Sequence, residues 1–281
     1  MRGEDIRVTE LKSSPNNGCQ VNSGMKRMLQ RTASIARDFY TYRYFNSQEK
    51  APRYRGVFSS FGEAERAIPK GRPEGFNLDA VPDFFIGKQF LFNPQDYPVL
   101  LWLTQAFEPG SAVFDLGGGF GQCYYKYQEL VRFPEGLRWV VCDVESFLSP
   151  AREFASQRNA TNLSFTTDRS AAEGCSVYLT NGALQYIEPE LAEILGRLSS
   201  QPRHVLVNRV PWYDGEPYYT VQSSKHSFVA HKVSNAAQFI RDMEALGYRT
   251  VDQWSLPRSL HVPFHPERFV LSFRGFYFQK V

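Results

Sequence analysis

The chain of 281 residues has 42% hydrophobic residues, 22% charged residues and a net charge of +3, which describes a globular protein able to bury a sizeable core. No apolar run reaches the roughly 20 residues needed to cross a bilayer. Glu4, Asp5 and Glu10 occupy a start that lacks the apolar run of a secretory signal, so a cytoplasmic location is expected. The four cysteines, Cys19, Cys123, Cys142 and Cys175, contain no C-x-x-C pair, which points to reduced thiols rather than a metal site. Residues 1–60 hold 11 Lys/Arg against 5 Asp/Glu, while the remainder is net negative. A body with that balance is not expected to bind nucleic acid.

Residues 1–24, with Ser13-Ser14-Pro15-Asn16-Asn17-Gly18, read as a polar, disordered leader. An N-terminal helical arm or cap is expected over 25–108 and a main domain over 109–281. Between Met25 and Phe45, the apolar Met25, Met28, Leu29, Ile35, Ala36, Phe39 and Tyr40 roughly share one helical face, with Lys26, Arg27, Arg31 and Arg37 elsewhere. Such a helix suits a membrane surface, a second copy of the chain or the protein's own body. The few bulky apolar residues favour docking on protein. In Arg55-Gly56-Val57-Phe58-Ser59-Ser60-Phe61-Gly62-Glu63-Ala64, either serine is placed to cap a helix containing Glu63, Ala64 and Ala67. Asn93 to Phe107 predicts a further helix.

The apolar run Ala112 to Leu116 then stops at Gly117-Gly118-Gly119-Phe120-Gly121-Gln122. This predicts a strand, a tight turn and a helix start, which together present backbone N–H groups to a ligand. A dinucleotide fingerprint fails because Gln122 stands where its last glycine belongs, and no phosphate-loop motif is present. Alternation continues with strands at Arg138–Val144, Ser164–Asp168, Ser176–Thr180 and His204–Val210, and helices at 149–158, 189–199 and 235–246. Residues 211–234 form an aromatic and polar insertion on the substrate side, and Val251–Leu256 and Phe269–Gln279 give two last strands.

The pattern Asp115-x-Gly117-x-Gly119-x-Gly121 resembles the first motif of the class I S-adenosylmethionine-dependent methyltransferases. The resemblance implies a Rossmann-like seven-stranded α/β sheet with helices on both faces, and S-adenosylmethionine as cofactor. It places Asp115 near the cofactor's amino-acid part, with Gly117, Gly118, Gly119 and Gly121 letting the cofactor pack on the backbone. Asp143, 22 residues beyond Gly121, stands where an acid accepts ribose hydroxyls, with Val144 beside it. Asp168 corresponds to a residue near the adenine amine, and Asn181, Gly182 and Leu184 to the motif after the fourth strand. Capping of a following helix or turn is the alternative role for Asp143 and Asp168.

Residues 55–64 are similar to the opening signature of a bacterial methyltransferase family often encoded among surface-polysaccharide genes. That implies O-methylation of a sugar or related small molecule. Tyr186 stands where small-molecule members often have histidine, so the catalytic candidates are Tyr186 together with His226 and His231 in the insertion. Neither [DN]-P-P-[YFW] nor a Pro-Cys nucleophile is present. The alternatives are an amine or protein acceptor, or a cofactor-binding but catalytically idle regulatory subunit. A membrane contact or a homo-oligomer through residues 25–45 is the partner expectation besides the small-molecule acceptor.

Overall fold

A computed structural model describes residues 23–47, 53–77, 91–224 and 227–281. Its frame is a single sheet in which seven strands form the doubly wound body and three extend it. Five parallel strands, β2 (Ala112–Leu116), β3 (Arg138–Cys142), β4 (Leu163–Thr166), β5 (Val177–Asn181) and β6 (His204–Tyr213), lie in the spatial order β4-β3-β2-β5-β6. The last two strands, β9 (Tyr248–Leu256) and β10 (Phe273–Lys280), complete the seven, with β10 antiparallel to both β6 and β9. The order reverses between β2 and β5. There the crossover helices leave to opposite faces and a crevice opens at the carboxyl ends of the strands.

The faces follow from side-chain alternation along the strands. Val113, Val141, Leu179 and Leu206 pack with α3 (Tyr97–Ala106), α4 (Gln122–Gln128) and α5 (Glu145–Gln157). Phe114, Tyr178, Val205, Val207 and Phe276 pack with α6 (Leu191–Gly196) and α7 (Ala236–Ala245). Both sides are apolar because a parallel sheet is covered on both faces. α5 begins four residues earlier than its apolar pattern suggests and takes Pro150 into its interior. Helix α6 starts at Leu191 rather than at Pro189, with Glu190 as its cap residue.

The insertion is built of strands. Residues 211–213 prolong β6, and β7 (Tyr218–Ser223) and β8 (Phe228–Asn235) form an antiparallel hairpin. β8 joins β6 through Trp212 and Tyr213, and β1 (Arg53–Phe58) adds to β7 as a further antiparallel strand. The stretch similar to the polysaccharide-associated signature is therefore β1 and the start of α2 (Phe61–Arg66). Its Ser60 caps α2 by accepting the Glu63 N–H, and the Glu63 carboxylate reaches back to the N–H of Ser59.

The amphipathic segment is helical as α1 (Ser23–Arg43). It docks on the protein through Asp38, which is buried, contacts His261 Nε2 at 2.6 Å and accepts the N–H of Phe264. Phe39 and Tyr42 meet the ring of Phe264 at 5.2 and 5.9 Å, and these two and Ile35 stay at least half exposed. Among the described residues, no helix is long and apolar enough to cross a membrane.

Candidate functional site

The crevice is built on the turn between β2 and α4. Gly117, Gly119 and Gly121 all have left-handed backbones, with φ of +72°, +57° and +85°. Side-chain space is closed as well: a Cβ on Gly117 would stand 2.1 Å from the Cβ of Ala183, and one on Gly118 2.6 Å from the carboxyl of Asp115. The turn therefore accepts glycine alone at Gly117, for conformation and for contact.

Asp115, one residue before the end of β2, is fully buried. The Trp139 indole N–H donates to its Oδ2 at 3.2 Å, and Oδ1 has no partner. Burial, only partly offset by the Trp139 bond, pushes this carboxyl up to about 7. An orphaned, buried acid beside a turn that exposes backbone fits a ligand carrying a cationic group. Asp143, one strand over, accepts the N–H of Gly119 at 2.7 Å through Oδ2 and that of Val144 at 2.8 Å through Oδ1. Burial raises it while these two bonds lower it. Each oxygen keeps a second lone pair with which to accept a hydroxyl. Val144 is the cap residue of α5.

The remaining sequence-derived positions divide. Asn181 ends β5 and donates to Asp96 Oδ1 at 3.2 Å, while Gly182 follows it with φ +84°. Leu184, 1% exposed, packs in the core on the Tyr178 face. Asp168 is exposed and caps the short 3-10 turn Arg169–Ala172, accepting from the Ser170 N–H and hydroxyl, which hold its carboxyl below the usual range. His226 lies outside the described residues.

Tyr186 and His231 come together. Their rings meet edge to face at 5.3 Å between centroids, and Tyr54 of β1 also meets His231 edge to face at 5.1 Å. Tyr186 donates to Gln222 Oε1 at 2.9 Å. His231 is fully buried with neither ring nitrogen partnered. Burial, reinforced by the charge of Arg258, lowers it to about 3, so it is neutral but a weak base near pH 7. Residues 73–77 run past this cluster: Phe228 N–H donates to Pro73, Phe76 meets Tyr186 at 4.9 Å, and Asn77 Oδ1 accepts the Ser146 N–H at the start of α5. They thus link the start of β8 to the start of α5, which follows β3.

A second layer of the site was not legible in the sequence. Asp96, fully buried in the turn before α3, pairs with Lys126 of α4 at 3.0 Å and Arg209 of β6 at 2.8 Å. Asn208 joins this layer, donating to Asn181 Oδ1 and to the Gln95 carbonyl while accepting the Trp254 indole N–H. The one local signal was the capping box around Asn93, in which Asp96 Oδ2 also accepts the Asn93 N–H. A separate cleft of ≈ 480 Å³ lies beside Trp212, Trp254, Phe269 and Arg274, and none of the glycine-turn residues lines it.

No protein-family model matches the chain, and no curated protein matches it by sequence. Among solved structures, it is similar to the 1,6-didemethyltoxoflavin-N1-methyltransferase of Burkholderia thailandensis, solved with 1,6-didemethyltoxoflavin and S-adenosylhomocysteine. The TM-score is 0.49 at 18% identity, over 72% of this chain and 83% of that one. It is also similar to the CcbJ methyltransferase of Streptomyces caelestis, with TM-score 0.48 and 12% identity over 74% and 97% of the two chains. A S-adenosylmethionine-dependent methyltransferase of Aquifex aeolicus gives TM-score 0.47 and 14% identity over 73% and 99%.

Proposed function

We propose that this protein is a S-adenosylmethionine-dependent methyltransferase acting on an oxygen of a sugar or related small molecule. The observation that supports this most is the glycine turn at the strand-order reversal, with the orphaned Asp115 at its start and Asp143 one strand away. When bound, the cofactor supplies a methyl group on a positively charged sulfur. Asp115 would face its ammonium group and Asp143 its ribose hydroxyls. Asp168 would lie toward the adenine amine, with Val144, Asn181, Gly182 and Leu184 forming the walls. Asp168 would have to leave Ser170 in part to do so.

For transfer, the chain must mainly hold the acceptor in line with the methyl group and exclude water. Tyr186 is the positioning group that the structure favours, since its hydroxyl is fixed by Gln222 and stays protonated because burial raises it. The sugar-like acceptor is supported by residues 55–64 alone, as a resemblance. A second reading, cofactor binding without turnover, is favoured by the weak basicity of His231. α1 would serve a homo-oligomer or a membrane contact through the exposed parts of Ile35, Phe39 and Tyr42.

Calorimetry tests the first step: S-adenosylmethionine or S-adenosylhomocysteine should bind at micromolar strength and NAD should not. Release of S-adenosylhomocysteine with a panel of nucleotide sugars tests the second. Cofactor binding with no release on any acceptor would establish the idle reading.

A further inference from the structure

Arg209 is one of three non-glycine residues with a positive φ among those described, at +59°. It lies inside β6, where such a conformation is unfavourable and persists only if the surroundings impose it. The cause is a bulge. Across the pairing with β10, Arg274 faces Val210 and Phe276 faces Val207, so Asn208 and Arg209 together oppose Gly275. A bulge re-aims a side chain, and here it releases Arg209 from the strand's alternation.

The neighbours are fitted to the result. The ring of Trp254 covers Gly275 so closely that a Cβ there would stand 2.2 Å from it. Gly182, also left-handed, would have its Cβ 3.6 Å from the Cβ of Arg209, so the stem of that side chain runs past the loop that follows β5. One Nη donates to Asp96, Nε is buried without a partner, and a quarter of the side chain is exposed.

Charge gives the second line of reasoning. Asp96 is a single buried carboxylate shared by two cations, Lys126 and Arg209. Neither cation has a second ion-pair partner among the described residues. The cluster therefore has positive charge in excess in a place where an unpaired charge is costly. Arginine answers that need with a planar fork that takes a carboxylate or phosphate through two N–H bonds.

Position decides which ligand supplies the anion. The glycine turn follows β2 and Asp143 follows β3, so a cofactor held by them would lie over the ends of β2 and β3. Arg209 is on β6, across β5 from the turn. We infer that Arg209 is a specificity-determining residue that binds an anionic oxygen group, carboxylate or phosphate, of the methyl acceptor. This rests on the methyltransferase reading above.

The test uses full-length protein saturated with S-adenosylhomocysteine and titrated with inorganic phosphate in a calorimeter. Wild type should bind phosphate, Arg209→Gln should lose at least about tenfold in phosphate affinity, and Arg209→Lys should retain part of it. Lysine keeps a cation against Asp96, so thermal unfolding of that variant reports whether the fold is intact. Equal phosphate binding in wild type and Arg209→Gln overturns the inference, as does no binding in wild type. If Arg209→Lys instead weakens S-adenosylhomocysteine but not 5′-methylthioadenosine, which lacks the amino-acid part, Arg209 serves the cofactor and the inference is wrong. Should Arg209→Gln not fold, a crystal structure of wild type with both ligands decides, and no anionic oxygen within about 3.5 Å of the guanidinium overturns it. Failure of S-adenosylhomocysteine to bind wild type would instead strike the methyltransferase reading.

Discussion

Replacing Asp115 by asparagine tests the electrostatics of the crevice directly. The residue is fully buried and its carboxyl is pushed up to about 7 from an ordinary 3.8, mainly by burial. The folded state therefore keeps a proton that the unfolded chain releases. The stability contributed by this group is complete below pH 3.8 and is lost as pH rises toward 7. At about 1.4 kcal/mol per pH unit, the loss is about 4 kcal/mol between pH 4 and pH 7, with no further change above.

Asparagine keeps an oxygen for the Trp139 indole but cannot ionise, so Asp115→Asn should lack this loss. Any constant cost of its new amide cancels when the difference between wild type and variant is followed against pH. Urea unfolding at half-unit steps from pH 4 to 8 measures it. Wild type should fall relative to the variant by about 4 kcal/mol over that range. A difference that stays flat within about 0.5 kcal/mol would refute the burial argument for Asp115. Ligand binding provides the counterpart: wild-type affinity for S-adenosylhomocysteine should strengthen from pH 5 to 7 as the carboxyl ionises, and that of the variant should not.

Gly117→Ala should lower stability by about 1–2 kcal/mol for the left-handed backbone, and more for the approach to Ala183. Adding Ala183→Gly should restore the contact part only, and full rescue in thermal unfolding would show that φ is not limiting. Asp143→Ala should weaken S-adenosylhomocysteine by about 1–3 kcal/mol in calorimetry, since it also removes the acceptor that holds the Gly119 N–H; unchanged affinity would remove Asp143 from the site. Because His231 is lowered to about 3, turnover should show no His231-dependent inflection between pH 6 and 8, and Tyr186→Phe should reduce kcat with cofactor affinity kept. An inflection lost in His231→Gln would contradict that. If α1 binds membranes, liposome co-sedimentation should fall when residues 25–45 are removed; equal pelleting would remove the membrane contact.

The parts of this protein that the sequence determined by itself are those in which a short stretch limits its own conformations. Ala112 to Leu116 is apolar and β-prone, and the glycines after it permit the positive φ that the turn uses, so strand, turn and helix were legible together. The alternation of strands and helices likewise foretold a doubly wound sheet, because each period matches one element. Ser60 as a cap followed from its own residue type.

What only the tertiary structure decided are the relations between distant segments. Lys126 and Arg209 lie 30 and 113 residues from Asp96 in the chain, and nothing local announces their pairing. The bulge at Arg209 is set by the register of β10, and the sealing of His231 by Tyr54 of β1 and by Tyr186 after β5. The insertion, polar and aromatic in sequence, became strands because β6 and β1 offered it edges to pair with. Local propensity fixes what a segment can form, whereas burial and ion pairing depend on what arrives beside it once the sheet has closed.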